Sequence, residues 1–124
     1  MTAPLTVSLL TPPPTGSAGE LFETLLQRPG VRVERIVSTG QATPAGEWYD
    51  QDWDEWVLVL AGEALLRLAD ENEARRLAPG DAVLLPARCR HRVEWTTPDR
   101  PTVWLALHLD ATSSGYPSLP APPR

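Results

Sequence analysis

Two stretches decide the fold: residues 46–62, GEWYDQDWDEWVLVLAG, and residues 80–95, GDAVLLPARCRHRVEW. In the first, Trp53, Glu55, Val57 and Val59 fall on one face of an extended strand and Trp56, Leu58 and Leu60 on the other, because successive side chains alternate. A run apolar on both faces is the pattern of a strand lying between two layers or lining a closed barrel. Glu55 therefore enters an apolar sheet from one side and points into a partly dry interior. An unpaired carboxylate there is costly or becomes protonated. Either it meets a cation, a donor or water, or the pocket is open.

Working outward, short extended segments arrive at near-regular spacing. Val31, Val33 and Arg35 alternate with Arg32, Glu34 and Ile36. Residues 64–68, 74–77, 82–85, 91–96 and 102–109 read as further strands, punctuated by Ala61-Gly62-Glu63, Ala78-Pro79-Gly80-Asp81 and residues 97–101. One helix is predicted over residues 18–27, where Leu21, Phe22, Leu25 and Leu26 recur at helical spacing and Arg28-Pro29-Gly30 closes the segment. Residues 1–17 carry a proline triplet and read as an extended arm, residues 18–110 as one β domain, and residues 111–124 as a Pro-rich tail. Many short strands with Gly/Pro turns predict an antiparallel sandwich or small barrel.

Composition narrows the function classes. The chain has 124 residues, enough for one domain with a real core, and a net charge of −5 with no lysine. No basic stripe with interleaved aromatics is present, which argues against a nucleic-acid surface. No apolar stretch reaches the length of a membrane span. The first residues make a poor signal peptide, so a cytoplasmic location is expected. Cys89 is the single cysteine, so no intrachain disulfide can form.

The two opening stretches resemble the cupin superfamily, in which the first motif runs Gly, five residues, His-x-His, three or four residues, Glu, six residues, Gly. The second runs Gly, five residues, Pro-x-Gly, two residues, His, three residues, Asn. Glu55 and Gly62 stand at the first motif's spacing, and Gly80, Pro86 and His91 fit the second in register. The similarity covers about residues 31–109 and implies a double-stranded β-helix, or jelly-roll, barrel. The departures are as informative. Tyr49 and Gln51, or Trp48 and Asp50 in the longer register, stand where the histidines belong. Arg88 replaces the second motif's Gly and Trp95 its Asn.

The resemblance implies a divalent metal (Zn, Fe, Mn or Ni) on Glu55 and His91, with Gln51 as a weak third ligand and His108 as a fourth if it points inward. Amide oxygen is a poor substitute for imidazole toward such metals. Without a metal, a Glu55–His91 pair satisfies both groups and is also a candidate acid and base near neutral pH. Tyr49, Gln51, Trp53, Trp95 and Trp104 are the candidate substrate contacts, since aromatics around a few polar groups describe a small-molecule pocket as well as a filled core. Asp50, Asp52 and Asp54 read as a solvated acidic edge, and Arg88 and Arg90 beside Cys89 as a means of lowering its pKa. The functional expectation is a small-molecule-binding barrel, either an enzyme acting on a substrate such as a keto or sugar acid or a non-catalytic sensing module. The resemblance further implies a homodimer.

Overall fold

The structure, a computed structural model, describes residues 3–12 and 19–110. It contains eight strands: β1 (Leu21–Arg28), β2 (Val31–Ser38), β3 (Asp54–Ala61), β4 (Ala64–Leu68), β5 (Arg75–Leu77), β6 (Ala82–Leu85), β7 (His91–Thr96) and β8 (Thr102–Leu109). They form a five-stranded sheet in the order β1-β2-β8-β3-β6 and a three-stranded sheet in the order β5-β4-β7, with every pairing antiparallel. The two inner faces pack on each other as a jelly-roll. Val57, Val59, Trp104 and Ala106 from one sheet meet Ala64, Leu66 and Leu77 from the other in one buried cluster. Burying each large side chain of this kind contributes about 1.5–3 kcal/mol.

The alternation read from the sequence holds in β3, where Glu55, Val57 and Val59 face inward and Trp56 and Leu58 lie half-buried on the outer face. The helix expected over residues 18–27 is instead strand β1, paired with β2 through the turn at Pro29-Gly30, where Gly30 takes φ +77°. A bulge between Thr24 and Leu26 leaves Leu25 without a partner and resets the alternation. Apolar residues therefore appear at helical spacing along an extended chain. Of the predicted arm, residues 3–12 are described, and Ser8 and Leu9 lie against β2. There Arg35, 5% exposed, donates to the carbonyls of Ser8 (2.7 Å) and Leu9 (3.3 Å) and pairs bidentately with Glu23. The rest of the arm and the tail, residues 111–124, lie outside the described residues.

Candidate functional site

The inner ends of β2, β3, β7 and β8, with the segment before β3, enclose a cavity of about 110 Å³ that opens to solvent. This is somewhat smaller than the roughly 150 Å³ void that takes a benzene ring. Ile36, Val57, Leu66, Leu85 and Trp104 supply its apolar wall. Glu55, on the central strand β3, is 8% exposed and sits directly across from His108 on β8. His91 begins β7 and is 5% exposed. Its backbone exchanges hydrogen bonds with Tyr49 (2.7 and 3.1 Å), an isolated bridge that brings the residue-49 loop over the cavity and stacks the phenol on the imidazole at 5.4 Å.

The hydrogen bonds fix the chemistry of each group. His91 Nδ1 lies 2.8 Å from the Cys89 carbonyl, which can only accept, so Nδ1 carries a proton, and in the neutral ring Nε2 presents a lone pair. That lone pair lies 3.9 Å from Glu55 Oε1, too far for a hydrogen bond. Glu55 Oε1 itself accepts from Gln51 Nε2 at 3.1 Å. Two acceptors thus face the same small space from separate parts of the chain. The Tyr49 phenol is pushed above its ordinary pKa, first by burial and then by the nearby carboxylates of Glu20, Glu55 and Glu34.

His108 also lines the cavity, yet both its nitrogens are engaged. Nδ1 accepts from Trp53 Nε1 at 2.9 Å, so Nε2 bears the hydrogen and donates to Glu34 Oε1 at 3.0 Å. His108 therefore has no lone pair to offer a metal, against the fourth-ligand expectation. Gln51 presents its NH₂, a donor, to the Glu55 carboxylate. Among the described residues, no three His, Cys, Asp or Glu side chains converge as a metal group. Catalytic zinc sites use three protein ligands. The remaining pair, Glu55 and His91, does not fit the donor set of a resident transition metal.

Four other expectations are corrected. Trp95 is 39% exposed and faces out, because a bulge at Glu94 flips the alternation: Val93 pairs with Leu66 and Trp95 with Leu65. Trp53 precedes β3 and walls a neighbouring groove with Arg32 and Asp52, reaching the cavity only by bracing His108. Asp54 is not solvated but 2% exposed, accepting from the Ala87 amide at 2.7 Å. Burial pushes the Cys89 thiol up rather than down. Arg88 pairs with Asp50 instead, and Arg90 lies over Trp48. Trp104 does line the cavity, its indole donating to Ser38 Oγ (3.1 Å), which donates in turn to Glu20 Oε2 (2.6 Å). Sequence reasoning missed Glu20 and Glu34 as cavity residues. The available signal was Ile36, an apolar residue two places after Glu34 and so on its face.

Comparison with known proteins agrees with this architecture. Residues 35–108 match the family model described as "Cupin domain". A crystal structure described as a putative mannose-6-phosphate isomerase from Ralstonia eutropha JMP134 is 47% identical, with a TM-score of 0.84, covering 87% of this chain and 100% of that one. A cupin superfamily protein from Desulfitobacterium hafniense DCB-2 is 20% identical with a TM-score of 0.65, covering 78% of this chain and 83% of that one. An RmlC-like cupin family protein from Methanocaldococcus jannaschii, with a double-stranded β-helix fold, is 17% identical with a TM-score of 0.61, covering 77% and 85%. No curated protein matches the chain. With its jelly-roll sheets, its motif residues at Glu55, Gly62, Gly80, Pro86 and His91, and a family match over more than half its length, the chain belongs to the cupin superfamily.

Proposed function

We propose that this cupin binds a small molecule in the barrel cavity and that the Glu55–His91 pair moves a proton on it without a metal. The observation that carries the reading is the His91 ring, 95% buried by its 5% exposure, whose Nε2 lone pair is held toward the cavity by the Cys89 carbonyl and faces Glu55 Oε1 at 3.9 Å. A bound X–H group seated in the cavity beside both gives its proton to Nε2 of the neutral ring while the bonding electrons stay on X. The Glu55 carboxylate stabilises the imidazolium so formed. Returning the proton to the adjacent carbon, while the hydroxyl proton passes to the former carbonyl oxygen, completes an isomerisation with no net redox change. The relative described as a putative isomerase supports this class of reaction, since aldose–ketose interconversion is proton movement between neighbouring carbons.

The test is hydrogen–deuterium exchange at the carbon next to the carbonyl in small hydroxyketones and aminoketones, followed by NMR in D₂O. After dialysis against a chelator, the wild-type protein is expected to retain exchange. His91→Gln is expected to lose about 10²-fold or more, the usual worth of a general base, and Glu55→Gln a smaller factor. Exchange that vanishes on chelation, or that His91→Gln leaves intact, overturns the proton-transfer reading. Saturable binding without exchange would leave a non-catalytic binding module.

A further inference from the structure

The cavity holds three carboxylates, Glu20, Glu34 and Glu55, and among the described residues no arginine side chain lines it. Each of the three accepts from a neutral donor: Ser38 Oγ, His108 Nε2 and Gln51 Nε2 respectively. His108 is neutral here because its Nδ1 is already an acceptor. Arg32 follows the same face of β2 but lines the neighbouring groove beyond His108. A half-enclosed apolar site with uncompensated carboxylates has a negative potential that its walls keep from being screened. The upward push on the Tyr49 phenol from these same carboxylates, after burial, is in keeping with that field.

We propose that the ligand is a small organic cation, its charged nitrogen drawn into the carboxylate-lined cavity by the field of Glu55, Glu34 and Glu20 and its hydrocarbon body against Ile36, Val57 and Trp104. This rests on the cavity being the binding site, as in the function proposed above. His91, a 5% exposed residue that lines the cavity, adds the second element of the site: in the neutral ring its Nε2 is an acceptor with no hydrogen-bond partner among the described residues. An inorganic cation is the poorer occupant, since no three ligating side chains converge there. A phosphorylated sugar is poorer still. Its charge has the sign of the walls, and the volume of about 110 Å³, below that of a benzene-sized void, suits a body of roughly five non-hydrogen atoms.

The full chain is titrated with isobutylamine, isobutanol and isobutyrate at matched ionic strength, with mannose 6-phosphate, and with Zn²⁺. The readout is the Trp104 indole N–H and His91 ring NMR signals. Isobutylamine is expected to saturate with a Kd at least tenfold below that of isobutanol, while isobutyrate and the sugar phosphate leave the signals unmoved. Glu34→Gln and Glu20→Gln, which keep an acceptor but remove a charge, are each expected to weaken amine binding threefold or more and leave isobutanol unchanged. Equal affinity for alcohol and amine, tighter binding of either anion, or stoichiometric Zn²⁺ that displaces the amine overturns the charge assignment and leaves the cavity as a site. If no compound moves either signal, the cavity reading itself falls.

Discussion

Gly62 closes the first cupin motif, and its replacement by alanine separates two reasons for a glycine. The residue has φ +82°, in the left-handed region where a Cβ costs roughly 1–2 kcal/mol. A Cβ there would also clash with Thr102 Oγ1, and would come within 2.5 Å of Thr102 Cα and 2.7 Å of the Pro101 carbonyl oxygen. Two of those three atoms are backbone at the start of β8, and Thr102 has no exposed surface, so neither can step aside cheaply. Overpacking of this kind costs about 1–3 kcal/mol, for a total of about 4 kcal/mol. Gly46 supplies the control, with φ +81° and nothing within 4 Å of an added Cβ. Gly46→Ala should cost only the conformational part, about 1 kcal/mol. Urea unfolding of both variants, followed by tryptophan fluorescence, measures the difference directly. A Gly62→Ala midpoint that coincides with that of Gly46→Ala would refute the argument that this motif glycine exists to let β3 leave the sheet against Thr102.

Arg88 stands where the second motif has glycine and is the described non-glycine residue with positive φ, +67°. Arg88→Gly should therefore raise stability, by up to about 1 kcal/mol after loss of the exposed Asp50 pair, and chemical denaturation reads it. Arg35→Ala removes the bidentate Glu23 partner and both arm carbonyl bonds from a 5% exposed site. The expected loss is about 3 kcal/mol, with faster limited proteolysis near Ser8; an unchanged cleavage rate there would contradict the anchoring role. The raised Tyr49 pKa favours the protonated phenol in the folded state. Its contribution is thus fully present below the ordinary tyrosine value of 10.0 and is lost as pH rises through the folded value. Phenolate absorbance should rise late in the folded chain, and Tyr49→Phe should remove that late component.

The barrel was legible because short apolar strands arrive between Gly/Pro turns, and because Glu55, Gly62, Gly80, Pro86 and His91 keep a recognisable spacing. Errors arose where a bulge broke the period. Leu25 gives β1 a helical signature, and Glu94 turns Trp95 to solvent although both it and His91 occupy odd positions. A bulge depends on the partner strand, so a single segment does not reveal it. Convergence of Glu55 and His91 followed from the motif, but the proton positions on the two histidines did not. These depend on the Cys89 carbonyl, the Trp53 indole and Glu34, groups that only folding brings to the rings. Glu34 was hidden by its neighbours Arg32 and Ile36, which make its face of β2 look half polar.

Ser38, shut away from solvent, receives the Trp104 indole on one side and reaches Glu20 on the other. The hydroxyl acts as a rivet between the innermost panel of the barrel and the chain just ahead of its outermost strand. Neither panel can swing without dragging its counterpart, so any guest that displaces the indole must also shift the acidic rim.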